Sequence, residues 1–162
     1  MADRQDGVSR TGNLPAYCHW SSSAGLFLIR AMLGVVFVFH GAQKLFGWFG
    51  GHGLEATAGF MKASGIPLPQ VSAWMAGGTE FFGGVLLILG VATRLVSLPM
   101  AFTMFVAAFA VHGAAFSAQA GGMEYPLTLG VMLVGLVFLG GGDWTVTRAF
   151  ERRIAHVPVS ST

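Results

Sequence analysis

Four apolar runs, each long enough to cross a bilayer, constrain this chain more than any other feature. They cover roughly residues 24–46, 71–91, 95–117 and 125–142. A helix rising about 1.5 Å per residue needs about 20 residues to cross ~30 Å of hydrocarbon. Strands of a membrane barrel are about half as long and alternate in polarity, and these runs do not alternate. The expected fold class is an all-α membrane protein, an antiparallel bundle of four transmembrane helices. Only 10% of the residues are charged and 54% are hydrophobic. A soluble domain carries about 25% charged residues, so this chain cannot cover itself with a charged surface.

The flanks of the runs define the rest of the domain plan. Residues 1–23 read as a polar N-terminal tail, 24–142 as the transmembrane domain and 143–162 as a C-terminal tail. The tail holds Asp3, Arg4, Asp6 and Arg10 without an apolar core, so the first run is expected to act as an uncleaved signal anchor. Between spans one and two, Leu54, Ala58 and Met61 recur at helical spacing, with Glu55 and Lys62 elsewhere on the wheel. That pattern predicts a short amphipathic interfacial helix. Pro126 opens the fourth run, and Gly140, Gly141 and Gly142 close it. Asp143 is then placed to cap a short helix carrying Trp144, Phe150, Arg152 and Arg153. Trp20, Trp48, Trp74 and Trp144 fall near run ends, as interfacial anchors do.

Lys and Arg are distributed unevenly. Arg4, Arg10, Arg94, Arg148, Arg152 and Arg153 fall on the side of the termini, against Lys44 and Lys62 on the other. The positive-inside rule puts both termini in the cytoplasm. The net charge of +2 has no basic stripe, so nucleic acid is not an expected partner. The single cysteine, Cys18, excludes an intrachain disulfide and a CxxC relay. No metal site is expected.

Ionisable residues interrupt the apolar runs. Arg30, His40 and Lys44 lie in the first span within an arc of about 80°. Glu80 sits near the middle of the second, among Ala73, Ala76, Gly77, Gly83 and Gly84. His112 lies in the outer half of the third, with Glu124 and Tyr125 opening the fourth. Charges facing lipid cost several kcal/mol near the bilayer centre, so these faces must turn inward. The bland readings are specific. Arg30 and Glu80 are expected to pair, and such a pair can be purely structural. Lys44 can snorkel to the headgroups. His112 can be a packed histidine bonded to a carbonyl. Several such groups at similar depth nevertheless make a functional site the default hypothesis.

The same residues carry a family resemblance. The stretch Arg30-Ala-Met-Leu-Gly-Val-Val-Phe-Val-Phe-His40-Gly41-Ala-Gln-Lys44-Leu45-Phe46-Gly47 resembles the opening of the DoxX family. Glu80-Phe-Phe-Gly83-Gly84, Leu89-Gly90 and Thr93-Arg94 are similar to its second span and following loop, and His112 fits its third span. The ending Gly140-Gly141-Gly142-Asp143-Trp144 departs from the Gly-x-x-Ser-Leu-Asp of many members. The resemblance implies a four-helix protein of the bacterial inner (plasma) membrane with oxidoreductase activity. Related proteins are small subunits of a quinol oxidase or of a thiosulfate:quinone oxidoreductase, and others belong to oxidative-stress defence complexes.

The leading expectation is therefore a membrane subunit of a quinone-linked redox system. Arg30, Lys44, His40 and His112 are candidate donors to the quinone carbonyls, and Glu80, His40 and His112 are candidate proton carriers. Apolar and aromatic walls would hold the ring and tail. No flavin or nucleotide fingerprint is present, so a membrane or peripheral partner protein must exchange the electrons. Two alternatives stand beside this. His40 and His112 at matching depth on different helices suit axial ligation of haem b. A non-catalytic scaffold or small-molecule carrier needs only that the charged pair hold the bundle together. Segment 47–53 is expected to serve as a lid over an outer cavity.

Overall fold

A computed structural model describes residues 16–155, with side chains from residue 21 to 154. The expectations for Arg4, Arg10 and the signal anchor's tail, and for the side chains of Cys18 and Trp20, lie outside the described residues. Every regular element among the described residues is helical. Helix α1 covers Ala16–Phe46, α2 Gly53–Ala63, α3 Pro69–Leu89, α4 Thr93–Val106, α5 Glu124–Leu139 and α6 Val146–Ala155. A π-helical stretch, Ala107–Val111, continues α4.

Three of these helices are long and apolar enough to cross a membrane: Ser21–Phe46, Pro69–Leu89 and Thr93–Val111. Helix α5 is equally apolar but has 16 residues, about 24 Å of rise. Large apolar side chains stand on the outside, among them Leu28, Phe82, Leu95, Phe102 and Phe138. Water would not tolerate such a continuous apolar exterior, whereas hydrocarbon is its natural solvent. The chain is a membrane protein.

Boundaries follow local chemistry. Pro69 begins α3, where its missing N–H is no loss. Gly90, at φ 73°, turns the chain out of α3 while the Val91 N–H bonds to Leu86 O. Helix α1 starts at Ala16, inside the segment read as a tail. The third run ends earlier than expected. Its helix stops at Val111, and His112 lies beyond it, because the π turn closes when the His112 N–H reaches Ala107 O at 3.0 Å. The last helix is capped by Thr145, whose Oγ1 accepts the Arg148 N–H, and not by Asp143. Asp143 instead bonds Ser23 Oγ at 2.8 Å and Arg148 at 3.0 Å, stitching the Gly-rich turn to α1 and α6.

The bundle is built around two close seams. Helix α1 packs along α3, and α4 along α5. Gly34 faces Gly84 and Ile88, and a Cβ at Gly34 would lie 2.7 Å from Gly84 O. Gly41 faces the backbone of Phe81. Only glycine permits backbones this close, the small-residue packing of membrane helices. Leu33, Phe37, Leu87, Met100, Met104, Leu129, Leu133 and Leu136 fill the core between the seams.

Candidate functional site

The α1–α3 seam fixes a register that decides which charges meet. Residues near Gly41 lie beside Phe81, and Lys44 and Leu45 lie beside Gly77. Glu80 therefore faces the end of α1 that carries Lys44. Arg30 faces Leu87 and Ile88, about 10–12 Å away along α3.

The expected Arg30–Glu80 pair does not form. Arg30 is fully buried and donates to Leu87 O at 2.7 Å, Ile88 O at 3.1 Å and Trp144 O at 2.7 Å. Leu87 and Ile88 belong to the last turn of α3, whose carbonyls carry the negative end of the dipole and lack regular i+4 partners, Leu87 O taking only the capping Gly90 N–H at 3.1 Å from the backbone. A guanidinium, with five donors and no acceptor, suits that position. The Phe27 ring packs 5.6 Å from the guanidinium carbon. Arg30 is thus a clamp that ties α1, α3 and the Trp144 turn together, away from the remaining candidates.

Glu80 pairs with Lys44 instead. Lys44 Nζ lies 2.5 Å from each carboxylate oxygen. The Glu80 side chain is 1% exposed and that of Lys44 32%, so a buried carboxylate is met by a cation reaching in from the rim. Lys44 does not simply snorkel. Two of its three N–H donors go to Glu80, leaving one for another group.

This pair lines a cavity of about 170 Å³ between α1, α3, the end of α4 and α5. His40, His112 and Tyr125 add polar groups, and Phe37, Met104, Ala107 and Leu129 add apolar walls. Four of the five candidates, His40, Lys44, Glu80 and His112, converge here, while Arg30 is excluded. Volume limits the occupant. An apolar cavity of about 150 Å³ accommodates a benzene-sized molecule, so this one is the size of a single ring. None of residues 47–53 lines it. Their loop is pinned beside α1, where Phe49 stacks on Phe39 at 5.1 Å and Phe49 O accepts from Gln43 Nε2 at 3.2 Å.

The histidine contacts set their tautomers. His112 Nδ1 is 2.8 Å from Gly121 O. A carbonyl only accepts, so Nδ1 carries the proton and neutral His112 presents Nε2 as an acceptor. His40 Nδ1 is 3.1 Å from Gln43 Oε1, and the Gln43 amide is oriented by its bond to Phe49 O. His40 is therefore in the same tautomer. With Nδ1 spent on an oxygen acceptor in each ring, Nε2 is the nitrogen left for a ligand, an acceptor in the neutral ring and a donor in the protonated one. The donor side of the cavity falls to Lys44 and the Tyr125 hydroxyl. Tyr125 was noted in the sequence only as part of the outer cluster. Its edge-on approach to His40, with centroids 6.2 Å apart, brings it into the site.

Known proteins place these observations. Residues 25–113 match the sequence model of the DoxX family. The chain is 34% identical over 91 residues to "Putative oxidoreductase CatD" of Bacillus subtilis (strain 168), covering 56% of this chain and 62% of that protein. The match thus spans less than two thirds of CatD. It is 28% identical over 150 residues to "Uncharacterized membrane protein Rv3486" of Mycobacterium tuberculosis, covering 86% of this chain and 89% of that one. No solved structure matches.

Proposed function

This chain belongs to the DoxX family, and from that premise we propose that it is the membrane subunit of a quinone-linked redox system in a bacterial plasma membrane, acting in oxidative-stress defence. In this reading α1, α3, α4 and α5 cross the bilayer as an antiparallel bundle. The short α5 is completed by the Gly140–Gly142 turn, both termini are cytoplasmic, and α2 lies on the outer interface. The observation that carries the reading is the ring-sized cavity of about 170 Å³, in which Lys44, Glu80, His40, His112 and Tyr125 meet apolar walls.

The residues divide the work. The free N–H of Lys44 holds a ring carbonyl oxygen, and neutral His112 accepts from the ring hydroxyl of the reduced form. Interconversion of quinol and quinone moves two protons and two electrons. On quinol oxidation His112 Nε2 takes one proton, and the Glu80 carboxylate, the basic member of its pair with the Lys44 ammonium, takes the other. The electrons pass to a partner protein. The cavity does not suit the haem alternative. His40 and His112 face the same space, but a porphyrin of four pyrrole rings is far larger than about 170 Å³ allows. The name "Putative oxidoreductase CatD" of the Bacillus subtilis relative agrees with redox chemistry.

A titration of the purified full-length protein with a short-tail quinone, in both redox states, tests the reading. Saturable binding by wild type, weakened in His112→Ala and in Lys44→Ala when each variant is titrated below its own melting temperature, is expected. The absence of saturable binding to wild type, alone or with co-purified partners, would leave the scaffold or carrier reading in its place.

A further inference from the structure

A second cleft, of about 270 Å³, lies between α2, α3 and α4. Its walls are mostly apolar, with Phe60, Met61, Met75, Phe102 and Val106. Lys44, Glu80, Ala107 and His112 line both this cleft and the ring-sized cavity. The ion pair and His112 are therefore the partition between two spaces. The π-helical stretch begins at Ala107, and this irregularity in α4 carries the wall to His112.

The two spaces differ in kind. The first is small and sets five polar side chains, His40, Lys44, Glu80, His112 and Tyr125, among its apolar walls. The second leads to the lipid-facing surface, because Met75 and Phe102 on its rim are 65% and 69% exposed. A single ring fills the first and leaves no room there for a chain. The second is mostly apolar in wall area, the hydroxyls of Thr57, Ser72 and Thr103 on its lining being spent on the carbonyls of Gly53, Pro67 and Pro99, and its Met side chains adapt to flexible aliphatic shapes.

We infer that the two spaces hold one ligand in two parts, a lipid-soluble amphiphile whose ring sits in the small cavity and whose aliphatic chain lies in the α2–α3–α4 cleft, passing the Lys44–Glu80 partition. This deepens the proposed quinone site and rests on it. Glu80 is locked by burial, so Lys44, one-third exposed on four methylenes, is the part that swings to admit the ring from the bilayer. The ligand enters sideways from the membrane, and segment 47–53 plays no part as a lid.

The test uses the full-length protein in lipid nanodiscs and a benzoquinone bearing a decyl chain with a diazirine midway along it. Photolysis is expected to label peptides containing Phe60, Met75 and Phe102. The labelling is expected to be lost with excess of the same benzoquinone lacking the chain, and in Ala76→Phe, which narrows the cleft alone. A diazirine-bearing alkane without the ring should label the outer faces around Leu28 and Leu95 and should not be displaced. If the chainless quinone binds saturably but the chain labels only those outer faces, the two-part site is wrong while the ring cavity stands. If the chainless quinone neither binds nor displaces the label, both readings fall.

Discussion

Lys44 and Glu80 are joined across the α1–α3 seam by two short contacts, yet they are unequally free. The Glu80 side chain is buried, 1% exposed, whereas Lys44 is 32% exposed and anchored on a flexible stem. Removing either partner therefore has different consequences. Lys44→Met strands a buried carboxylate and is expected to destabilise by about 3 kcal/mol. Glu80→Gln frees a lysine that can turn toward the headgroups, so a smaller loss of about 1 kcal/mol is expected. Melts in detergent should rank the two in that order, and the Lys44→Met/Glu80→Gln double mutant should recover part of the Lys44→Met loss. Equal or additive losses would count against the asymmetry.

Arg30 should behave independently of this pair. Its three carbonyl bonds lie at the far end of α3 from Glu80. Arg30→Lys retains charge but cannot reach Leu87, Ile88 and Trp144 together, and a loss of about 2–3 kcal/mol is expected. Combined with Glu80→Gln, the losses should add within about 0.5 kcal/mol, as for sites without shared partners. A coupling well beyond that would show that the clamp and the cavity communicate.

The seam itself is a target. A Cβ at Gly34 would meet backbone, Gly84 O at 2.7 Å, so the helices must part to accept one. Gly34→Leu is expected to destabilise by about 1–3 kcal/mol or to prevent assembly, whereas Gly135→Leu, with open space around its Cβ position, should be close to neutral. Expression and thermal stability of the two variants, compared side by side, check this.

Topology can be read from outside the bundle. With Arg94, Arg148, Arg152 and Arg153 gathered at the α3–α4 turn and in α6, a reporter fused after Thr162 is expected to be active only in the cytoplasm. Activity in the periplasm would reverse the orientation or change the number of crossings.

The parts of this molecule that were legible in the sequence are those that lie within single helices. Run lengths gave the long apolar helices, and Leu54, Ala58 and Met61 gave α2. The inward-facing stripe of His40 and Lys44 was legible for the same reason. What depends on register between helices was not. The expected Arg30–Glu80 pair rests on each helix taken alone, whereas the Gly34–Gly84 and Gly41–Phe81 contacts set the register. They bring Lys44 to Glu80 and Arg30 to the end of α3. The π turn has no signature in Ala-Ala-Phe-Ala-Val, so the departure of His112 from the helix was hidden too. Nor could spacing show that Gly121 O would fix its tautomer.

That tautomer yields the most discriminating prediction. Because Gly121 O accepts from His112 Nδ1, neutral His112 offers Nε2 as an acceptor to whatever fills the cavity. A quinone has only carbonyl oxygens, which cannot use that lone pair, whereas a quinol has a hydroxyl to donate. Wild type at neutral pH is therefore expected to bind the quinol about tenfold more tightly than the matching quinone, the value of one added hydrogen bond of about 1.4 kcal/mol. His112→Ala should remove most of that preference, chiefly by weakening the quinol. Lys44→Ala should weaken both redox forms, since Lys44 donates to a ring oxygen in either. Anaerobic titrations of the three proteins with the two forms of one short-tail quinone separate the roles. A preference for the oxidised form in wild type, or a quinol preference untouched by His112→Ala, would remove His112 as the proton acceptor of the site.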